Sequence, residues 1–132
     1  MAQLELRDVY YRYKNSDKDA LQNINCIFPK GCLSAVIGPS GSGKTTLLFI
    51  MAGLDYPTSG EVFMDDVPLK ELDLDSYRRE KVSMIFQGFQ LFPLLTVLEN
   101  AAFTMEVNGV SKKEANKKSI EILLLLLAPF NK

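Results

Sequence analysis

Residues 38–46 read GPSGSGKTT and lie between two apolar runs, LSAVI at residues 33–37 and LLFIMA at residues 47–52. The stretch fits the pattern G-x-x-x-x-G-K-[ST], with every fixed position filled. Glycine lets the backbone curl without a steric penalty, so successive N–H groups can point at one anion where a helix begins. The stretch therefore predicts a phosphate-binding loop between a strand and a helix. A plain flexible turn would explain the glycines but not the adjacent lysine and threonine.

The side chains of this loop predict separate contacts with a polyphosphate. We expect Lys44 to reach the β- and γ-phosphates and the Thr45 hydroxyl to ligate Mg²⁺. The backbone amides from about Gly41 to Thr46 are expected to hold the phosphate oxygens. The candidate nucleotide-binding residues of the loop are Gly38, Ser40, Gly41, Ser42, Gly43, Lys44, Thr45 and Thr46.

Composition and charge narrow the classes of partner. Fifteen basic and sixteen acidic residues leave a net charge of -1, which gives no broad attraction to nucleic acid or to an anionic membrane. The charged N-terminal residues predict neither a signal peptide nor an anchor, and the longest apolar run, residues 122–128, is shorter than the ~20 residues of a membrane span. Cys26 and Cys32 form no C-x-x-C pair and the chain has no histidine, so we expect reduced thiols and no zinc site. These features predict a cytoplasmic chain.

Apolar periodicity and turn residues predict the elements around the loop. Two strands before the loop are expected to pair as a hairpin, and the helix after it is expected to stop at Gly53. The motif S/T-x-x-E predicts a capped helix after Thr96 and another after Ser111. No repeat or linker divides the sequence, so we expect a single domain over residues 1–132. The predicted strands are residues 4–13, 24–28, 33–37, 61–64 and 82–86, and the first two predicted helices are residues 45–52 and 72–79.

From Leu4 to about Asn108 the sequence resembles the ATPase subunits of ATP-binding cassette (ABC) transporters. Besides the phosphate loop, the likeness rests on YRYKNSDKDALQNIN (residues 11–25), LLFIMAGLDYPTSGEV (residues 47–62) and MIFQGFQLFPLLTVLENA (residues 84–101). It is closest to the ATPases of lipoprotein-releasing and macrolide-exporter systems. The resemblance implies an α/β fold, the N-terminal part of a P-loop NTPase, with an antiparallel β-subdomain and an incomplete parallel core sheet.

The resemblance also implies roles for two residues outside the loop. Tyr13 matches the aromatic residue that stacks on adenine, and Gln87 matches the glutamine that approaches Mg²⁺ and the attacking water. The cofactors implied are ATP or ADP with Mg²⁺, with Lys44 and Gln87 as catalytic residues and Thr45 and Gln87 as metal ligands. A plain strand tyrosine and an ordinary polar residue at a strand end remain the alternative interpretations.

The partners implied by the resemblance are a membrane permease subunit and a second ATPase subunit, at the cytoplasmic face of the membrane. Residues 90–99 resemble the surface that receives a short helix of the permease. Phe89, Leu91 and Phe92 are candidate contacts there, although core packing accounts equally well for each of them.

Several motifs of an ABC ATPase are absent from these 132 residues. There is no LSGGQ-type signature and no histidine, and the acids of VFMDD (residues 62–66) follow the loop too closely to serve as the catalytic acidic pair. We therefore expect hydrolysis by this chain alone to be near background. The atypical end after about Asn108 suggests a truncated or frameshifted copy of a longer ATPase domain. Bare apolar surface is then expected to drive self-association, with Leu123–Leu127 in the contact.

Two other functions remain open. One is a non-catalytic interaction module with the same fold. The other is a small P-loop phosphotransferase or GTPase, against which stand the roughly 30 residues before the loop and the missing aspartate in NKKS, residues 116–119. The favoured interpretation is the ATP-binding part of an ABC transporter ATPase subunit.

Overall fold

The computed structural model describes residues 3–127, which form two compact units. The first unit ends at Met84 and the second begins at Ile85. The first contains β1 (Gln3–Tyr11), β2 (Leu21–Pro29), α1 (Lys44–Met51), β3 (Ser59–Met64), β4 (Val67–Pro68), a 3₁₀ turn (Leu69–Glu71) and α2 (Leu74–Glu80). The second contains α3 (Val97–Val107) and α4 (Lys112–Leu127). The single domain expected from the sequence stays a prediction.

The first unit is built on an antiparallel sheet with the strand order β2-β1-β3-β4. β1 and β2 are neighbours in the sheet, which confirms the predicted hairpin. Alternate residues of β1 point into the core, and α1 covers them with the buried side chains Leu47 and Ile50. The α/β class and the antiparallel β-subdomain are therefore confirmed. The buried core comprises Leu6, Val9, Tyr11, Leu21, Leu47, Ile50, Val62, Leu69 and Tyr77.

β1 contains a bulge between Leu6 and Val9, where its register against β2 shifts. Asp8 takes a left-handed φ of 50° there, and its N–H donates to Asn25 Oδ1 at 2.9 Å. Asn25 Nδ2 in turn donates to Asp8 Oδ1 at 3.1 Å. Across the bulge lies Gly60, with φ +79°, where an added Cβ would be only 2.1 Å from the carbonyl oxygen of Asp8. Only glycine fits opposite this bulge.

The strands predicted at residues 33–37 and 82–86 are wrong. Neither segment pairs with a strand in the described part of the chain, and Leu33 and Ile37 are 103% and 92% exposed. A strand needs hydrogen-bond partners on a neighbouring chain segment as well as apolar side chains. The sheet of residues 3–84 ends at β2 and β4 and offers these two segments no neighbour.

Helix α1 stops where the sequence predicts. Gly53 adopts φ +65°, and Leu54 N–H donates to Phe49 O at 2.9 Å, which closes the last turn. Two side chains of α2 bind carbonyls near this end: Tyr77 Oη donates to Met51 O and Arg78 Nη1 to Gly53 O, each at 2.7 Å. Backbone N–H groups after α1 and the Tyr77 hydroxyl thus satisfy the last carbonyls of the helix, and Arg78 binds the carbonyl of the glycine that ends it.

The second unit consists of α3 and α4 packed against each other through buried alanines, Ala102 and Ala115. The capping box at the start of α3 is confirmed: Glu99 N–H donates to Thr96 Oγ1 at 3.2 Å, and Thr96 N–H donates to Glu99 Oε2 at 2.9 Å. The bonds that the Thr96 N–H and the Thr96 hydroxyl donate to Glu99 Oε2 hold the pKa of the Glu99 carboxyl below its usual value. At the start of α4 the cap is weaker, with Glu114 N–H at 3.4 Å from Ser111 Oγ.

The candidate phosphate-binding loop

The loop before α1 is curled. Ser42 N–H donates to Pro39 O at 3.3 Å, and Gly41 and Gly43 have φ of +77° and +85°. An added Cβ at Gly38 would lie 2.8 Å from Ser42 Oγ, so the start of the loop is close to its middle. Positive φ values at two glycines turn the backbone through a tight arc that other residues rarely adopt. The helix predicted after the loop is present, whereas the strand predicted before it is not.

Gly43 fixes the loop to the β-hairpin. An added Cβ at Gly43 would lie 2.5 Å from the carbonyl oxygen of Ala20 and 2.8 Å from Leu21 Cδ2. Its own carbonyl accepts the first hydrogen bond of α1, from Leu47 N–H at 2.8 Å. One glycine therefore sets both the start of the helix and the distance between the loop and the start of β2.

The ammonium of Lys44 lies inside the curl. Its Nζ donates to Pro39 O at 2.7 Å and to Gly38 O at 2.9 Å, with a longer contact of 3.4 Å to Ser42 Oγ. An ammonium has three donors, so all three are directed at the loop itself. No acidic residue occupies the first turn of α1, whose N-terminal end favours negative charge. The loop thus places the Lys44 ammonium beside the positive, N-terminal end of α1.

Tyr13 lies beside the first turn of α1. Its hydroxyl is 2.6 Å from Thr46 Oγ1, and the Thr46 side chain is buried whereas Tyr13 is 51% exposed. Thr45, the adjacent helix residue, is exposed, as are Ser40 and Gly41. The structure therefore brings the predicted residues of the first unit together around the loop.

A neighbouring pair, Tyr11 and Asp55, was missed by the sequence reasoning. The buried Tyr11 hydroxyl donates to Asp55 Oδ2 at 2.5 Å, and the Tyr11 ring meets that of Tyr13 nearly at right angles, with centroids 4.9 Å apart. The hydrogen bond to Asp55, together with burial, raises the pKa of Tyr11 to about 12, so the hydroxyl stays protonated at neutral pH. Alternation along the strand predicted at residues 4–13 places Tyr11 and Tyr13 on one face, although the observed β1 ends at Tyr11, and no sequence signal connects either residue to Asp55.

Gln87 belongs to the second unit, where it is exposed in an irregular segment before α3. The roles predicted for Gln87 in catalysis and in metal binding stay predictions.

The residues of the loop fit a polyphosphate with Mg²⁺. No atom lies within 4 Å of the position a Cβ would take at Gly41, so that side of the loop is open. Within residues 3–127 there is no group of three or more Cys, Asp or Glu side chains placed to hold a metal ion. A hydroxyl ligand such as Thr45, shared with phosphate oxygens, is the kind of site in which Mg²⁺ is bound with few protein ligands. None of the helices between residues 3 and 127 has the length and apolar character needed to cross a bilayer.

Comparison with known proteins identifies relatives over nearly the whole chain. The sequence profile of the ABC transporter family matches residues 21–127. The uncharacterized ABC transporter ATP-binding protein YclH of Bacillus subtilis is 38% identical over 125 residues, which are 95% of this chain and 54% of that protein. The methionine import ATP-binding protein MetN of Staphylococcus haemolyticus is 40% identical over 127 residues, which are 93% of this chain and 37% of that protein.

A solved structure gives the same result for the fold. The ATP-binding cassette MJ0796 of Methanocaldococcus jannaschii, solved as a dimer in a post-hydrolysis state bound to ADP and Pi, superposes with a TM-score of 0.80 at 38% identity. The superposition covers 89% of this chain and 54% of that one. The chain spans about half the length of MJ0796 and of YclH, and less of MetN. Because the family profile and these relatives cover most of its residues, the chain belongs to the family of ABC transporter ATP-binding proteins.

Proposed function

We propose that the chain binds ATP or ADP, together with Mg²⁺, through the loop of residues 38–46. The observation that carries this proposal is the position of the Lys44 ammonium, held inside the curled loop at the N-terminal end of α1. Cation, helix terminus and backbone amides of this kind favour an anion bound at one point. The ADP and Pi bound to the cassette MJ0796 support the same class of ligand.

Each candidate site residue of the first unit then has a defined role in binding the nucleotide. The amides of residues 41–46 bind phosphate oxygens, and Lys44 exchanges part of its contact with the loop carbonyls for the phosphates. The exposed Thr45 hydroxyl holds Mg²⁺, which when bound neutralises the charge of the phosphates. The exposed half of Tyr13 offers an apolar face to adenine. The roles of Gln87, a residue of the second unit, at Mg²⁺ and at the attacking water remain those that the family resemblance implies.

We propose transport functions only for a whole ATPase subunit of the length of the relatives. Since these 132 residues span about half the length of their relatives and lack the signature motif, we propose that turnover requires further sequence and a second ATPase subunit. We place the chain in the cytoplasm, peripheral to the membrane, with residues 90–99 facing a permease subunit. MetN, one of the relatives, is described as a methionine import protein.

The nucleotide proposal is tested by titrating ATP with Mg²⁺ into the wild-type chain and into Lys44→Ala by calorimetry, while phosphate release is assayed. We expect the substitution to weaken binding by about tenfold or more, because it removes a charge-assisted contact. Phosphate release should stay near background in both proteins. Lys30→Ala, which removes an exposed lysine of the same unit, is the control and should bind like the wild type.

Two results would contradict this proposal. If wild-type protein failed to bind ATP, the interaction module with the same fold would become the better interpretation. If Lys44→Ala bound ATP as tightly as the wild type, the loop would not be the site. Robust turnover by the 132-residue chain would contradict the view that further sequence is needed.

We also propose that the isolated chain self-associates through the C-terminal half of α4. Leu124, Leu125, Leu126 and Leu127 are all more than half exposed, and consecutive apolar residues on a helix surface favour burial against another chain. Sedimentation velocity should show dimers or larger species at micromolar concentration, reduced in Leu125→Lys. A wild-type monomer under these conditions would refute the expectation.

A further inference from the structure

We infer that Tyr11 and Asp55 are positioning residues for recognition of the base: together they hold the ring of Tyr13 where adenine would stack. This inference rests on the proposed nucleotide-binding function and extends it to residues that do not touch the ligand. It assigns the binding of the base, as distinct from the binding of the phosphates, to Tyr13 and to the residues Tyr11 and Asp55 that support it.

The ring of Tyr13 is held from two sides. On one side its hydroxyl is hydrogen-bonded to Thr46, two residues after Lys44 on α1. On the other side the ring meets Tyr11 in an edge-to-face contact with an interplanar angle of 84°. Such a contact has a preferred geometry, so the orientation of one ring restricts the other. Half of the Tyr13 side chain still remains exposed.

Tyr11 is in turn fixed by Asp55. Its ring is buried, with 8% of its surface exposed, and its hydroxyl is bonded to Asp55 Oδ2. The other carboxylate oxygen of Asp55 accepts from Tyr56 N–H at 2.8 Å, which orients the carboxylate. The Tyr11 ring is therefore packed in the apolar core, and the hydrogen bond from its hydroxyl to Asp55 restricts its rotation.

The segment that carries Asp55 is itself bonded to the backbone on either side of Tyr11. Thr58 N–H donates to Tyr10 O at 2.8 Å, and Arg12 N–H donates to Thr58 Oγ1 at 2.9 Å. The end of β1 and residues 55–58 are thus joined by hydrogen bonds on both sides of Tyr11. Because the ring of Tyr13 is ordered before a base arrives, stacking costs little additional side-chain entropy.

The test compares two ligands that share phosphates but differ in the base. Kd is measured by calorimetry for ATP with Mg²⁺ and for inorganic tripolyphosphate with Mg²⁺, in wild type and in Tyr11→Phe. We expect Tyr11→Phe to weaken ATP about fivefold and to change tripolyphosphate by less than about twofold, because only the stacking contact is disturbed. Asp55→Asn, which keeps an acceptor for Tyr56 N–H, should likewise weaken ATP more than tripolyphosphate. If Tyr11→Phe does not fold, Asp55→Asn alone tests the inference.

Tyr10→Phe is the matched control, since the Tyr10 hydroxyl has no hydrogen-bond partner in the described part of the chain. It should leave both affinities unchanged. Equal losses for ATP and tripolyphosphate would show a merely structural role and overturn the inference, as would unchanged ATP binding in both Tyr11→Phe and Asp55→Asn. If the wild type bound ATP no more tightly than tripolyphosphate, the proposed base recognition would be refuted. The proposed phosphate site would not be affected by that result. Binding of neither ligand would refute the proposed function itself.

Discussion

Replacing Gly60 with alanine is expected to lower the free energy of unfolding of the first unit by roughly 3 kcal/mol or more. An added Cβ would lie 2.1 Å from Asp8 O, 2.4 Å from Asp8 C and 2.6 Å from Arg7 O. All three are backbone atoms of the inner strand β1, which cannot move aside as a flexible side chain could. The left-handed φ of +79° adds strain for any residue with a Cβ.

Denaturant unfolding followed by tyrosine fluorescence measures this effect. The chain has no tryptophan and its five tyrosines all lie at or before Tyr77, so the signal reports on the first unit. Gly31→Ala is the control, because Gly31 has φ +76° but nothing within 4 Å of an added Cβ. Its cost should be about 1 kcal/mol, from the backbone conformation alone. A cost for Gly60→Ala no larger than that of Gly31→Ala would show that the bulge does not constrain β3.

Gly43→Ala is expected to destabilise the first unit by roughly 3 kcal/mol and also to weaken ATP binding. The added Cβ would meet Ala20 O at 2.5 Å, so the loop could accept it only by moving away from the hairpin. That movement displaces the first turn of α1, which begins with the hydrogen bond to Gly43 O. Gly43→Ala should therefore lower both the free energy of unfolding and the affinity for ATP.

The same fluorescence and calorimetric measurements test this prediction. Gly41→Ala provides a comparison within the loop, since Gly41 has φ +77° and an open position for Cβ. Its loss of stability should be about 1 kcal/mol. If Gly43→Ala and Gly41→Ala were equally stable, contact with the hairpin would not matter for the loop.

The predictions that were confirmed depend on residues close together in the sequence. The capping box of Thr96 and Glu99, the end of α1 at Gly53 and the hairpin of β1 and β2 each follow from local turn chemistry or from alternation along a strand. The helix predicted at residues 45–52 is observed as Lys44–Met51. Local rules were sufficient for the capping box and the end of α1 because their hydrogen bonds join near neighbours, and for the hairpin because its two strands follow each other along the chain.

The predictions that failed depend on distant partners. The apolar segments at residues 33–37 and 82–86 have strand-like composition, but pairing requires a neighbour that the first unit does not supply. The bond between Tyr11 and Asp55 joins residues 44 apart, and no composition rule identifies such a pair. The loop was identified from its fixed residues, whereas the direction of Lys44 toward Gly38 and Pro39 became known only from the folded backbone.

The close contact between Gly43 and the carbonyl oxygen of Ala20 limits where insertions and deletions can occur in the chain during evolution. Residues 14–18 of the β1–β2 connection are mostly exposed, so insertions there would extend into solvent and leave the phosphate loop where it is. An insertion next to Ala20 would instead shift the carbonyl on which Gly43 rests. Insertions and deletions should therefore be tolerated at residues 14–18 and eliminated by selection next to Ala20.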